Sequence, residues 1–248
     1  MSASVAAFRL QDLSARQGLT YAAHLFKAVS RQHHRELLPI LRPLIPADAI
    51  VLDIGGHAGQ FAKLFAGLAP RGRVYSFEPG GYARSILSTV IRFSRLGNVT
   101  VVPTGLGDRA GEAVLSVPIK RSGSLGFGLS HLGGGETGRA LRTETVAIDT
   151  VDAFINRAGI RRVDFIKADI EGWELRMLTG AAATLARFKP PLLLELTDAH
   201  LARAGDSLAA TWSFLTGLGY RPHGAAADLG TLRALDQPVE GDIFWLAG

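Results

Sequence analysis

The sequence predicts an α/β protein with a doubly wound, mostly parallel sheet of the Rossmann-like type, preceded by N-terminal helices. Short apolar runs rich in β-branched residues alternate along the chain with segments of helical periodicity, which is typical of repeated strand–helix–strand units. The first such run, residues 50–54, ends in a glycine-rich turn that opens a helix. The last two runs, residues 219–222 and 242–246, indicate a closing antiparallel pair.

The composition fits one large domain with a cap. The chain has 248 residues, of which 47% are hydrophobic, so a sizeable core is expected. We predict an N-terminal helical cap over residues 1–45 and a main domain over residues 46–248. No membrane span or signal peptide is expected. Cysteine is absent, which excludes disulfides and thiolate metal sites and fits a cytoplasmic protein.

The charge of the chain does not indicate a nucleic-acid partner. The 27 basic and 22 acidic residues give a net charge of +5. The basic residues are mostly scattered arginines, with no basic run that contains aromatic residues. A nucleic-acid substrate is therefore not expected, and a negatively charged cofactor product or a glycan would also explain the mild basicity.

Two helices are predicted before the first strand, and they are candidates for a lid. Their apolar positions are Ala22, Leu25, Phe26 and Val29 for the first, and Leu37, Ile40, Leu41 and Leu44 for the second. Pro39 lacks a backbone N–H, so the helical pattern must kink or restart there. His33 and His34 are placed on these helices, as packed or solvent-facing side chains, because adjacent residues do not share a helical face as metal ligands would.

The first strand–helix unit carries the pattern Asp53-x-Gly55-x-x-x-Gly59. The glycines let the backbone approach a ligand, and the amide groups at the start of the next helix face that ligand. The spacing differs from the G-x-G-x-x-G of dinucleotide-binding proteins. It resembles the first motif of Rossmann-like S-adenosylmethionine methyltransferases, whose positively charged ligand suits Asp53. A plain turn of an unrelated α/β protein is the alternative.

A second carboxylate follows the second predicted strand. Glu78 stands directly after residues 74–77, and Pro79 ends the strand. A carboxylate at this place in a Rossmann-like sheet accepts hydrogen bonds from ribose hydroxyls. The alternative is a surface carboxylate. The apolar face of the helix that follows is formed by Tyr82, Ile86, Val90 and Phe93.

The middle of the chain contains a third strand, a hairpin and a glycine-rich loop. After the strand at 99–102, Asp108 either reaches an adenine amino group or caps a turn. Residues 113–119 are predicted to form an extra hairpin strand, and residues 145–148 another strand. Residues 120–140 contain seven glycines and no periodic apolar face, which indicates a loop that is either a flap over the substrate or an insertion.

The second informative stretch is residues 163–174. Residues 163–168 are predicted to form a central strand that carries Lys167, and Asp169 and Glu171 follow at its end. Such charges at a strand end need partners. A single helix is predicted next, with an apolar face of Leu175, Leu178, Ala182 and Leu185. A strand at residues 192–196 then carries Glu195, and a helix follows near residues 208–215.

Together these segments resemble the FkbM family of S-adenosylmethionine-dependent methyltransferases, over about residues 45–200. The matching pieces are residues 51–59, residues 77–79, residues 163–174 and residues 191–195. Where the family usually has an alanine–asparagine pair, this chain has Gly56 and His57. His57 is expected to replace the asparagine in capping the turn; contact with the cofactor carboxylate or the acceptor is the alternative.

The resemblance implies a class I methyltransferase fold and transfer of a methyl group from S-adenosylmethionine to a hydroxyl of a small acceptor, such as a sugar or a natural-product intermediate. It implies these cofactor-binding residues: Asp53, Gly55, Gly56, His57, Gly59, Glu78, Pro79 and Asp108. Asp169 is expected to be the general base, with Lys167 orienting it or the acceptor and Glu171 as the alternative base. A divalent metal on these acids is possible but not favoured.

Two other functions and the oligomeric state stay open at this point. An oxidoreductase with a nucleotide cofactor would use the same sheet edge, although the missing G-x-G-x-x-G pattern weakens it. A non-catalytic protein that keeps the cofactor pocket is the second alternative.

Overall fold

The computed structural model describes residues 13–118, 131–132, 141–226 and 230–248. Its helices are α1 (Ala15–Ser30), α2 (Leu38–Leu44), α3 (Gln60–Leu68), α4 (Gly81–Phe93), α5 (Val151–Arg157), α6 (Glu174–Thr179), α7 (Ala182–Phe188), α8 (Asp198–Arg203) and α9 (Leu208–Gly217), with a 3-10 turn at Arg35–Leu37. Its strands are β1 (Ile50–Ile54), β2 (Arg73–Phe77), β3 (Val99–Val102), β4 (Gly105–Leu106), β5 (Gly111–Pro118), β6 (His131–Leu132), β7 (Leu141–Asp149), β8 (Phe165–Ala168), β9 (Leu192–Leu196), β10 (Tyr220–Ala225), β11 (Leu232–Ala234) and β12 (Gly241–Ala247).

The main sheet has eight strands in the order β11-β10-β12-β9-β8-β1-β2-β3. The run from β9 to β3 is parallel, whereas β12 is antiparallel to both β9 and β10. From β1 the chain continues to β2 and β3 on one side and later returns to β8 and β9 on the other. Ligands bind outside the carboxyl ends of the strands at such a switch point. The predicted fold class is confirmed.

Both faces of the sheet are covered, as a parallel sheet requires. On one face, Leu52 and Ile54 of β1 pack in a cluster with residues of α5, α6 and α7. On the other face, Val51 packs with Phe65 of α3 and with residues of α2. Because side chains alternate along a strand, Asp53 points to the same face as Val51. The alternation therefore buries a carboxylate at the end of β1.

A second sheet, in the order β4-β7-β5-β6, lies after β3. β5 and β7 pair antiparallel from Gly111 opposite Ile148 to Pro118 opposite Leu141, which confirms the predicted hairpin strand. Leu115, Val146 and Ile148 form a small cluster against Trp173. Of the predicted loop at 120–140, only β6 belongs to the described residues, so the flap prediction lies outside them.

Of the predicted apolar face of α1, Leu25 packs against buried residues, whereas Ala22, Phe26 and Val29 are exposed. Tyr21 and Ala28 are buried, whereas Phe26 is 75% exposed. The buried face contacts Tyr82 of α4: the Tyr21 and Tyr82 rings meet edge to face at 5.4 Å, and the Tyr82 hydroxyl lies 3.1 Å from His24 Nδ1. Tyrosine and histidine, which a hydropathy pattern undervalues, set this face. The same error affects α4, where Phe93 is exposed.

Other differences lie in the connections. His33 and His34 are not on a helix; they join α1 to the 3-10 turn. The helix predicted over residues 175–185 is two helices, and Ala182 is exposed. Gly180 caps the end of α6 and packs closely on the loop after β4, where a Cβ would lie 2.0 Å from the Gly107 carbonyl oxygen. Asp152 of α5 then holds the start of α7 by accepting from the Ala183 and Thr184 amides. α8 and β11 were not predicted.

Candidate active site

A cavity of about 350 Å³ opens at the carboxyl ends of β1, β2, β8 and β9. Its walls include most of the residues that the sequence singled out: Gly55, Gly56, His57, Glu78, Pro79, Lys167, Asp169 and Glu171. They come from segments far apart in the sequence, and the fold brings them together. The size is within the range of about 300–1,000 Å³ that small-molecule sites occupy.

The turn after β1 forms one wall, and two glycines are required there. The amides of Gly55 and Gly56 both donate to the Phe77 carbonyl, at 3.0 and 2.9 Å. Gly55 has a φ of 77°, and a Cβ on it would lie 1.9 Å from the Asp169 carbonyl oxygen. A Cβ on Gly56 would lie 2.1 Å from Ser76 Oγ. The absence of side chains thus lets the loops after β1, β2 and β8 meet around the cavity.

Asp53 lies behind this wall and does not line the cavity. It is fully buried; Ser76 Oγ donates to its Oδ2 at 2.6 Å, and Lys167 Nζ lies 3.9 Å from its Oδ1. Burial raises the pKa of Asp53, against the opposing effects of Lys167 and Ser76. Gly59 is also outside the cavity lining, at the start of α3. Both residues shape the turn from behind.

Glu78, directly after β2, lines the cavity beside this turn. Its Oε2 accepts from the His57 amide and its Oε1 from the Gly80 amide, each at 2.9 Å. Burial raises the pKa of Glu78 to about 7, although these two bonds favour its ionised form. Each carboxylate oxygen keeps a second lone pair for a ligand. The predicted ribose partner is therefore fixed in position beside Pro79, with spare acceptor capacity.

His57 occupies a left-handed backbone conformation, with a φ of 49°. Asparagine, aspartate and histidine are enriched there among residues other than glycine. This conformation accommodates a histidine at the position where the family resemblance leads us to expect asparagine. Its backbone amide fixes Glu78, and the residue lines the cavity.

Lys167 is the cation at the centre of the site, and its side chain is only 4% exposed. Its Nζ donates to the carbonyl oxygens of Gly55 at 2.9 Å and Ile54 at 3.3 Å. It also lies 3.7 Å from Asp169 Oδ2 and 5.1 Å from the centre of the Phe61 ring. The ammonium thus joins buried Asp53 to cavity-facing Asp169, which provides the partner that a charge at this strand end requires.

The acids after β8 have different surroundings. Burial alone would raise the pKa of Asp169, but Lys167 and a hydrogen bond from Glu195 hold it below its ordinary value. Glu171 lies 2.9 Å from His200 Nδ1 and 3.9 Å from Arg203 Nη2, both on α8. Burial raises the pKa of Glu171 to about 7, with Asp169 adding to the shift. Asp169 is therefore the ionised group that faces the cavity, while Glu171 is engaged by another element.

Glu174 has a structural position. It is 1% exposed and its Oε1 accepts from the amides of Ile170 and Gly172, at 3.0 and 3.4 Å. These bonds hold the loop that carries Glu171, whose own backbone φ is 56°. Of the carboxylates in this stretch, Asp169 and Glu171 line the cavity, whereas Glu174 stabilises the loop that carries them.

The structure does not bring Asp108 to the cavity. Its Oδ2 lies 3.6 Å from Arg109 Nη1, and it lines a separate, open groove with Arg176 and Asp206. A contact between Asp108 and an adenine therefore has no support in this arrangement.

Four further residues line the cavity that the sequence did not identify as site residues: His34, Phe61, Glu144 and Glu195. His34 stacks on Phe61 with ring centres 4.3 Å apart. Glu144 accepts from the Gly81 amide at 2.9 Å. For Glu195 a signal existed, because an acid within an otherwise leucine strand is unusual. For His34 there was none, since its position depends on a turn between two helices.

Neither a metal centre nor a membrane helix is evident in the described parts of the chain. Among those residues no group of three or more histidine, cysteine, aspartate or glutamate side chains is arranged to hold a metal ion. None of the described helices is both long and apolar enough to cross a membrane.

The fold and the site together define a protein with a Rossmann-like methyltransferase architecture. The profile of the family described as "Methyltransferase FkbM domain" matches residues 53–222. Because this match covers more than half of the chain, the protein belongs to the FkbM methyltransferase family.

Two curated relatives match at low identity. The 2-O-methyltransferase NoeI of Sinorhizobium fredii is 26% identical over 166 residues, which cover 62% of this chain and 65% of NoeI. The AMB antimetabolite synthetase AmbE of Pseudomonas aeruginosa is 28% identical over 186 residues, which cover 62% of this chain and 9% of AmbE. The chain thus matches less than two thirds of the length of either relative.

Solved structures share the fold. A methyltransferase FkbM from Methylobacillus flagellatus superposes with a TM-score of 0.52 at 15% identity, covering 92% of this chain and 59% of that one. An O-methyltransferase from Bacillus cereus in complex with SAH superposes with a TM-score of 0.51 at 12% identity, covering 96% and 90%. At these identities the likeness establishes the fold alone.

Proposed function

We propose that this protein is an S-adenosylmethionine-dependent O-methyltransferase that acts on a hydroxyl group of a small acceptor. The observation that carries the proposal is the cavity itself: Glu78 lines it after β2, and Asp169, held by Lys167, lines it after β8. A ribose-binding acid and a poised carboxylate in one cavity are what transfer between a nucleoside cofactor and a hydroxyl requires.

The residues present fit S-adenosylmethionine. The glycines at 55 and 56 let the loops after β1, β2 and β8 close around the cavity, and the Glu78 carboxylate has spare lone pairs for the ribose hydroxyls. Pro79 and Tyr82 add apolar surface to the same part of the cavity. When bound, S-adenosylmethionine supplies a methyl group on a positively charged sulfur. The Asp169 carboxylate places negative charge in the same cavity, which suits that charge.

The chain's own residues would position the acceptor and take its proton. Asp169 is ionised and accepts the hydroxyl proton, which makes the oxygen a better nucleophile. Lys167 holds Asp169 in place, since its own ammonium is fixed by the backbone carbonyls of Ile54 and Gly55. Most of the acceleration comes from holding the reacting groups in line at about 3 Å. We propose no metal for this step.

The acceptor class is inferred from similarity to a curated relative. NoeI is a 2-O-methyltransferase, and its similarity favours a hydroxyl acceptor here. Family membership speaks against the oxidoreductase alternative. The turnover experiments below distinguish an enzyme from a protein that binds the cofactor without catalysing a reaction.

Binding of S-adenosylhomocysteine is expected to depend on the ionisation of Glu78. Because burial raises the Glu78 pKa to about 7, the protonated form, which is a poorer acceptor for ribose hydroxyls, grows as the pH falls. We expect the dissociation constant to rise about tenfold from about pH 8 to about pH 6. Calorimetric titration at several pH values measures this.

Glu78→Gln is the matched control for this titration. Glutamine preserves the size of the side chain but does not titrate, so the variant should bind more weakly at pH 8. Its dissociation constant should change less than that of wild type between about pH 8 and about pH 6, because residue 78 no longer titrates, although Glu171 and Glu195 of the cavity still do so in this range. The same slope in wild type and Glu78→Gln would mean that another group controls binding and that Glu78 does not hold the ribose.

A further inference from the structure

Three neighbouring strands place three carboxyl groups side by side at the cavity edge. Ala168 of β8 pairs with Leu194 of β9, so Asp169 lies next to Glu195. Asp242 of β12 pairs directly with Glu195. Within β9, Glu195 is the one exposed residue among four buried leucines, and it lines the cavity. Like charges that face each other across strands are destabilising, so this row costs stability unless a proton is shared.

The register of β8 against β9 and a shared cavity wall bring the carboxyl groups of Asp169 and Glu195 within hydrogen-bonding reach of each other. Two carboxyl groups can form such a bond only when one of them carries a proton, because an ionised carboxylate is an acceptor only. Burial, followed by the charge of Asp169, raises the pKa of Glu195 to about 8. The Lys167 ammonium favours the ionised form of Asp169. The proton is therefore on Glu195.

The other charged groups around the pair do not change this distribution. Asp242 and Glu171 add negative charge near Glu195 and favour its protonated form. His57 and His34 face Asp169 from the turn after β1 and from the N-terminal segment, and positive charge on either favours its ionised form. The surrounding positive and negative charges therefore act in the same sense: they favour an ionised Asp169 beside a neutral Glu195.

We propose that Glu195 is a positioning residue for methyl transfer: its neutral carboxyl donates a hydrogen bond that orients ionised Asp169 toward the acceptor hydroxyl. The role rests on the proposed function. As the bond between the acceptor oxygen and the methyl carbon forms, the bond between that carbon and sulfur breaks, and the sulfur takes the bonding pair and becomes neutral. The hydroxyl proton passes to Asp169, so the pair then holds two protons and returns one to water.

The first arm of the test needs no acceptor or cofactor. Carbon-13 NMR of protein labelled at its aspartate and glutamate carboxyl carbons follows each ionisation, and Glu195→Gln identifies the Glu195 signal by its loss. We expect this signal to titrate near pH 8 and the Asp169 signal to shift at the same pH, a shift that Glu195→Gln removes. In Asp242→Asn both changes should occur at lower pH, because a neighbouring negative charge is gone.

A Glu195 signal that titrates near its ordinary value of 4.5, with no change at Asp169, would overturn the proposal. This result is independent of whether the protein transfers methyl groups, so it is distinct from a failure of the proposed function.

The second arm uses an acceptor found by screening hydroxylated compounds for release of S-adenosylhomocysteine. Glu195→Ala should lower kcat at least about tenfold and leave the KM for S-adenosylmethionine within about twofold. Glu195→Gln, whose amide can donate the same bond, should keep most of kcat. We expect the kcat of wild type to fall above about pH 8, where Glu195 ionises and repels Asp169, and Glu195→Gln should not show this fall.

Equal losses in Glu195→Ala and Glu195→Gln, or no loss in either, would refute the positioning role. A coupled titration in a protein that transfers no methyl group would refute the proposed function and this role together.

Discussion

Asp169→Asn is expected to lower kcat by about 10²- to 10⁴-fold, the range that a positioned general base contributes. The asparagine oxygen can still accept a hydrogen bond, so the variant keeps the shape of the site but cannot take a proton. Binding of S-adenosylhomocysteine should stay within a few-fold of wild type, because Glu78 and the glycine turn are untouched. Steady-state turnover with a screened hydroxylated acceptor, together with calorimetry, separates these two effects.

Glu171→Gln is the matched control for the choice of base. Glu171 lines the same cavity, but it lies 2.9 Å from His200 Nδ1 and is engaged by α8. We expect this variant to lose less than about tenfold in kcat, a smaller effect than a base contributes. Full turnover by Asp169→Asn together with a large loss in Glu171→Gln would assign the base to Glu171 and contradict the mechanism.

Lys167→Met is expected to lower the free energy of unfolding by about 3 kcal/mol or more, since removing one partner of a buried charge pair leaves the other uncompensated. Asp53 is fully buried, its Oδ1 has no hydrogen-bond partner among the described residues, and Lys167 lies 3.9 Å from it. Urea unfolding at neutral pH measures the loss. The loss should shrink at lower pH, because the raised pKa of Asp53 lets it become protonated in the folded variant.

The double variant Asp53→Asn/Lys167→Met tests the pairing. Asparagine removes the buried charge and can still accept the hydrogen bond of Ser76, so the double variant should be more stable than Lys167→Met alone. If the two substitutions were simply additive, Asp53 and Lys167 would not interact and Lys167 would act only through Asp169 and the backbone carbonyls.

The sequence predicted the parts of the site that depend on local pattern. Asp53, Gly55 and Gly59 lie within one strand–turn–helix unit, and the spacing of these three residues identifies the unit as a ligand-binding turn. Glu78 and Asp169 each stand directly after an apolar run, and the carboxyl ends of parallel strands meet at one edge of a sheet. Their convergence follows from topology, without knowledge of packing.

The parts that the sequence did not predict depend on register and packing between distant segments. The contact of Glu195 with Asp169 is set by the pairing of β8 with β9, and the position of Asp242 by the antiparallel strand β12. The buried face of α1 is set by contacts of aromatic rings with Tyr82. Asp108 follows a strand end, like Glu78, but β4 belongs to the second sheet, so its loop leads away from the cavity.

Whether the cavity holds S-adenosylmethionine is tested most directly by calorimetric titration of the wild-type protein with S-adenosylhomocysteine and, separately, with NADH. We expect one molecule of S-adenosylhomocysteine to bind per chain with micromolar affinity, and NADH to show no saturable binding. A folded protein that binds NADH, or that binds neither compound, would contradict the assignment of the cavity and with it the proposed methyl transfer.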